Sequence, residues 1–185
     1  MPDPLRAVVD LVGLLDAATP EPLLVVGSLP PHGRDLDLLA REDTAAAVSK
    51  LLAANGFHLR GGVWARFANC TAQVVDLLAA EDLNLEKDQI DRVFADAQPI
   101  AGQSKLMQPA PHHWLLLSAR RAALDARLTE KRRALLAAID QPDAWRRARD
   151  LAPHWQAQRA LDELEVALDG GLPNSWRVRA VAARA

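Results

Sequence analysis

Asp35 and Asp37 stand one residue apart in the run Asp35-Leu36-Asp37-Leu38-Leu39. Side chains alternate along a strand, so both would point to one face, about 6–7 Å apart. Two carboxylates held that close repel each other unless a cation sits between them. Hard oxygen pairs of this kind suit Mg²⁺, which takes one or two carboxylates and leaves its other positions to water and substrate phosphates. Six residues, Leu29 to Arg34, separate the pair from Gly27-Ser28, which ends the earlier apolar run Leu23-Leu24-Val25-Val26. A glycine there lets the backbone come close to a ligand, and Ser28 adds a hydroxyl donor. A helix beginning near that turn would offer free N–H groups to a phosphate. A metal pair beside a phosphate cradle is the minimum equipment for nucleotidyl transfer from a nucleoside triphosphate. The plain alternative is a solvent-facing strand edge, which gives no reason for the bracketing by Leu36, Leu38 and Leu39.

The order apolar-Gly27-Ser28, spacer, Asp35-Leu36-Asp37 resembles the nucleotidyltransferase superfamily that includes DNA polymerase β. That family carries a third carboxylate on a later strand. Gln73-Val74-Val75-Asp76-Leu77-Leu78 is similar to that strand, and Asp76 to that carboxylate. The resemblance covers about residues 20–80. It implies that Asp35, Asp37 and Asp76 share Mg²⁺ ions and that Gly27 and Ser28 position an NTP, with ATP as the expected nucleotide. Asp76 would then also serve as general base toward an acceptor hydroxyl. The spacer is shorter than is usual for the family, which keeps open a catalytically inactive relative that binds nucleotide or a partner protein, for example in a toxin–antitoxin pair.

Several other residues could carry chemistry. His32 and Arg34 lie in and beside the spacer, where they could reach a phosphate or simply face solvent. Arg120, Arg127 and Lys131 step by seven and four, so on one long helix they would share a face and could meet a triphosphate, or form an ordinary solvated face. His112-His113 is not metal-ligand spacing, because adjacent helical residues point about 100° apart. The five tryptophans read as core or interface anchors, any of which could stack on a base. Basic runs lack interleaved aromatics, so the expected acceptor is a small molecule or a protein more than a nucleic acid.

The elements that must position these groups can be read in order. Asp3 caps and Pro4 opens a helix to Ala18. A strand over Leu23–Val26 and a second over Arg34–Ala40 follow, then a helix from Glu42 to Asn55-Gly56. Gly61-Gly62 between Phe57–Arg60 and Val63–Phe67 is a two-residue hairpin signal. Thr71–Leu78 is the next strand, and Asn84 would cap a helix over Leu85–Ala97. Residues 98–111, with Pro99, Gly102, Pro109 and Pro111, read as a linker. Beyond it the chain is helical. Leu117, Leu124, Leu128, Leu135 and Ile139 form one expected apolar stripe along a long helix. Shorter helices follow from Asp143, Pro153 and Asn174. The expected architecture is therefore α+β, with a small mixed-sheet core over residues 1–100 and a helical half over 111–185.

The 185-residue chain can bury a core of its own. No apolar run reaches membrane length, and Asp10 and Asp16 interrupt the first apolar stretch, so neither an anchor nor a signal peptide is expected. One cysteine, Cys70, fits a reducing cytoplasm. Net charge is −2, but residues 1–103 carry −7 and residues 104–185 carry +5. That split suits a metal-binding core facing a phosphate-binding half, or two halves that simply attract.

Overall fold

The computed structural model describes residues 4–28, 35–68, 71–139, 141–173 and 175–176. The chain forms two compact units, Met1–Pro109 and Ala110–Ala185. The class is α+β, with a seven-stranded mixed sheet in the first unit and helices in the second. Among the described residues no helix is long and apolar enough to cross a membrane.

The first unit begins with α1 (Pro4–Ala18), then β1 (Leu23–Val25) and β2 (Asp35–Ala40). Next come α2 (Glu42–Ala54), the hairpin β3 (His58–Arg60) and β4 (Val63–Ala68), and the long β5 (Thr71–Ala79). Gly61 and Gly62 both have positive φ, 57° and 86°, as a two-residue turn of this hand requires. A 3-10 turn over Ala80–Leu83 leads to α3 (Lys87–Ala95). Asn84 does not cap that helix. It sits in left-handed backbone at φ 52°, and Glu86 caps instead, in a reciprocal box with Gln89.

Sheet order is β3-β4-β5-β2-β1 and then two short strands, β7 (Leu106–Gln108) and β6 (Gln98–Pro99). The stretch read as a linker therefore adds two strands, with β7 parallel to β1 and β6 antiparallel to β7. Its prolines and glycine hid it, because they read as breaks rather than as an edge strand and a turn.

Alternation decides the layers. Leu36, Leu38 and Ala40 of β2, Val75 of β5 and Leu23 and Val25 of β1 cluster with Leu11, Val12 and Leu15 of α1 and Val48 and Leu52 of α2. One face of the sheet is thus the core. Leu38, Leu52 and Val75 are all 0 % exposed, each contributing about 1.5–3 kcal/mol of burial. The odd-numbered residues of β2, Asp35, Asp37 and Leu39, take the opposite face.

Asp16, near the end of α1, ties β7 down. Its carboxylate accepts hydrogen bonds from the backbone N–H groups of Ser104 (2.9 Å), Lys105 (2.6 Å) and Leu106 (2.9 Å) and from the Ser104 hydroxyl (2.9 Å). Burial raises its pKa, but these donors outweigh that and hold it at about 2. The folded value lies below the unfolded one, so this stability is present above about pH 4 and lost as pH falls through 2. Asp16→Asn should cost on the order of 1 kcal/mol at pH 7, allowing for solvent screening, or about 3 °C in melting temperature. The gap between variant and wild type should close in melts taken at pH 2. A gap that persists there would remove the charge from this explanation.

The second unit holds α4 (Pro111–Asp125), α5 (Glu130–Ala137), α6 (Pro142–Leu151) and α7 (Gln158–Leu168). The long helix with one leucine stripe is not formed. Ala126 turns into left-handed backbone at φ 50°, and Thr129 starts α5 by accepting from the Arg132 N–H at 3.3 Å. Leu124, a member of the expected stripe, is 76 % exposed. The buried face of α4 is Leu115, Leu116, Ala119 and Ala122 instead. Glu163 fixes the end of the unit, accepting from Ser175 Oγ (2.6 Å), Trp176 Nε1 (3.0 Å) and Arg159 Nε (2.9 Å). Asn174 and residues 177–185, read as a final helix, lie outside the described residues.

Candidate functional site

β2 and β5 run parallel, and their register sets Asp37 directly opposite Asp76 and Asp35 opposite Val74. Opposed residues point to the same side of a sheet, and residues two apart on a strand do too. Asp35, Asp37 and Asp76 therefore share one face, the face away from the core. Adjacent strands lie about 4.8 Å apart, so the three backbones are within reach of a common cation. Asp35 is exposed, and Asp37 and Asp76 are half-buried.

As they stand, the three carboxylates are not among the acidic or histidine groups of the described residues whose ligand atoms all lie within 4.8 Å of one another. Three like charges on one face repel one another unless a cation sits among them. The donor set itself is made only of hard carboxylate oxygens, the kind Mg²⁺ prefers.

Gly27 lies against this group, for a reason the sequence did not supply. The Val26 N–H donates to the Asp37 carbonyl at 2.9 Å, which carries the β1–β2 pairing one step past β1. A Cβ at Gly27 would collide with Asp37 Oδ2 and sit 2.7 Å from its Cγ and 2.9 Å from its Cβ. The glycine makes room for the Asp37 carboxylate. Its φ is not in the left-handed region, so close approach alone demands it. Ser28 follows and is buried, at 4 % exposure. No helix begins over Val26–Ser28. His32, Arg34 and the rest of the spacer lie outside the described residues, as does Cys70.

The basic trio of the second unit is not carried by one helix. Arg120 is on α4, Arg127 is in the connection after it, and Lys131 is on α5. Arg120 serves the fold, donating to the Trp155 carbonyl at 2.9 Å, and burial lowers its pKa. His112 and His113 are buried, at 8 % and 1 % exposure, with ring centroids 4.2 Å apart. His113 stacks on Trp155 at 5.5 Å.

Sequence reading missed three residues on the aspartate face: His58 and Arg60 of β3 and Phe67 of β4. Cross-strand pairing places them there, through His58 with Ala65, Arg60 with Val63, and Ala65 with Val74. Alternation within the hairpin was visible, but its phase relative to the aspartates needs the β4–β5 register. Comparison with known protein families and with curated proteins found no match for this chain.

Proposed function

We propose that the chain is a Mg²⁺-dependent nucleotidyltransferase that moves a nucleoside monophosphate from an NTP, ATP first among them, to an acceptor hydroxyl. The observation that supports this reading best is the Asp37–Asp76 register with Asp35 on the same face. Asp35, Asp37 and Asp76 would hold the cation. When bound, Mg²⁺ neutralises charge on the transferring phosphate and lowers the pKa of the attacking hydroxyl. Asp76 takes the hydroxyl proton as general base. The acceptor oxygen bonds to the α-phosphorus, the α–β phosphoanhydride bond breaks, and pyrophosphate leaves. Gly27 leaves room for the Asp37 carboxylate, and Ser28 lies at the same strand end to position the triphosphate.

The acceptor belongs to the small-molecule or protein class, and the single cysteine suits a cytoplasmic setting. A second reading, a non-catalytic nucleotide- or partner-binding relative, is favoured by the six-residue spacer. Pyrophosphate release with each NTP, Mg²⁺ and a broad acceptor panel decides between the two. Mg²⁺-dependent release is expected. Nucleotide binding with no turnover on any acceptor would leave only the second reading.

A further inference from the structure

The aspartate face does not stop at Asp76. It continues outward over Val74 and Ala72 of β5, Ala65 and Phe67 of β4, and His58 and Arg60 of β3. Phe67 is 82 % exposed, the most open large apolar side chain among the described residues. Its cross-strand partner is Ala72 and its same-face neighbour along the strand is Ala65, neither bulky enough to cover a ring. His58 and Arg60 are exposed beyond them. β3 is two strand spacings from β5, so Arg60 stands about 10 Å from Asp76. The face thus presents, in one plane, an anionic cluster, a flat apolar patch with an open aromatic ring, and two basic side chains.

We infer that this outer face is the acceptor site, and that the acceptor is a small molecule with a flat ring, a hydroxyl and an anionic group, of the nucleoside monophosphate kind. The ring stacks on Phe67, as bases do on exposed aromatics. The anionic group faces Arg60 and His58, where a guanidinium can grip a phosphate by two donors. Phe67 stands four residues along β4 from Val63, which is level with Asp76, so the acceptor must reach about 13 Å from its ring to bring the hydroxyl to Asp76. Gly27 and Ser28 lie on the opposite side of the aspartates, at the end of β1, so acceptor and triphosphate do not compete for one surface. The role of the hydroxyl rests on the nucleotidyltransferase reading; the binding of ring and anion does not.

Calorimetric titration of AMP and adenosine, in EDTA so that no metal-dependent triphosphate site contributes, tests this. Wild type should bind AMP more tightly than adenosine. Phe67→Ala should weaken AMP about tenfold or more, with an unchanged melting temperature because the ring is exposed. Arg60→Glu should weaken AMP but not adenosine, by a factor that shrinks as salt rises. Equal AMP affinity in wild type and Phe67→Ala, or no AMP binding in wild type, overturns the assignment. Phe67-dependent AMP binding in a protein without Mg²⁺-dependent turnover would retain this site and remove the nucleotidyltransferase reading. Turnover indifferent to Phe67 would do the reverse.

Discussion

Asp37→Asn should abolish Mg²⁺-dependent pyrophosphate release, by at least about a thousandfold. Asp37 stands between its two partners, two residues from Asp35 on β2 and directly opposite Asp76 on β5. Replacing its carboxylate removes a ligand charge from the centre of the set, and a metal's stabilisation of a transferring phosphate is worth several kcal/mol, about a factor of ten for each 1.4. The fold should survive the change, since asparagine keeps the size and shape of aspartate, so a cooperative melt in chelator is the control. A variant that loses activity only because it loses its fold would show a lowered melting temperature, and that outcome would remove the electrostatic explanation. Retained turnover would remove the mechanism.

Gly27→Ala should have the second-largest effect. The added Cβ collides with Asp37 Oδ2 and meets Asp37 Cβ at 2.9 Å. The carboxylate can swing aside, but the Asp37 Cβ is held by the β2 ladder, so some of the clash falls on the pairing of β1 with β2. Overpacking of this kind costs about 1–3 kcal/mol, and displacing a catalytic group by about 1 Å can cost a hundredfold in rate. Both losses should appear together, in urea titrations and in pyrophosphate release. Adding Asp37→Ala to Gly27→Ala removes Oδ2 and Cγ, so stability should recover in part while activity stays lost, a coupling that a double-mutant cycle reads directly. Additive stability effects would show that the two residues do not meet.

The sheet was legible in the sequence where local pattern and local partner coincide. Leu23–Val25, Asp35–Ala40 and the Gly61-Gly62 hairpin follow from apolar runs and from turn residues that need no distant contact. The shared face of Asp35 and Asp37 followed from period two alone. Asp76 is different. Alternation says nothing about which strand it neighbours, and only the resemblance to the nucleotidyltransferases put it beside them. Gly27 stands out in the sequence by residue type alone, because close approach to a ligand and close approach to Asp37 leave the same residue there.

The helical half was read less well, also for a physical reason. Leu117, Leu124, Leu128 and Leu135 keep helical spacing through a chain that turns at Ala126 without glycine or proline. Only Thr129-Glu130, an N-cap with an acid in the first turn, marked the new start. With the helix broken, Arg120, Arg127 and Lys131 no longer share the one helix that the spacing implied. The strands at 98–99 and 106–108 were hidden by residues that usually break structure, and the anchor of the second, Asp16, lies some ninety residues away in sequence.

The central claim is that three aspartates from two parallel strands hold a divalent cation for a triphosphate. Electron paramagnetic resonance of Mn²⁺, titrated with protein at a fixed low level of a non-hydrolysable ATP analogue, reads that through the loss of free-ion signal beyond what the analogue alone removes. Wild type should take up Mn²⁺ in the presence of the analogue, and Asp35→Asn, Asp37→Asn and Asp76→Asn should each weaken uptake by tenfold or more, with folds intact by thermal melting. Uptake that is the same in all four proteins would contradict the account.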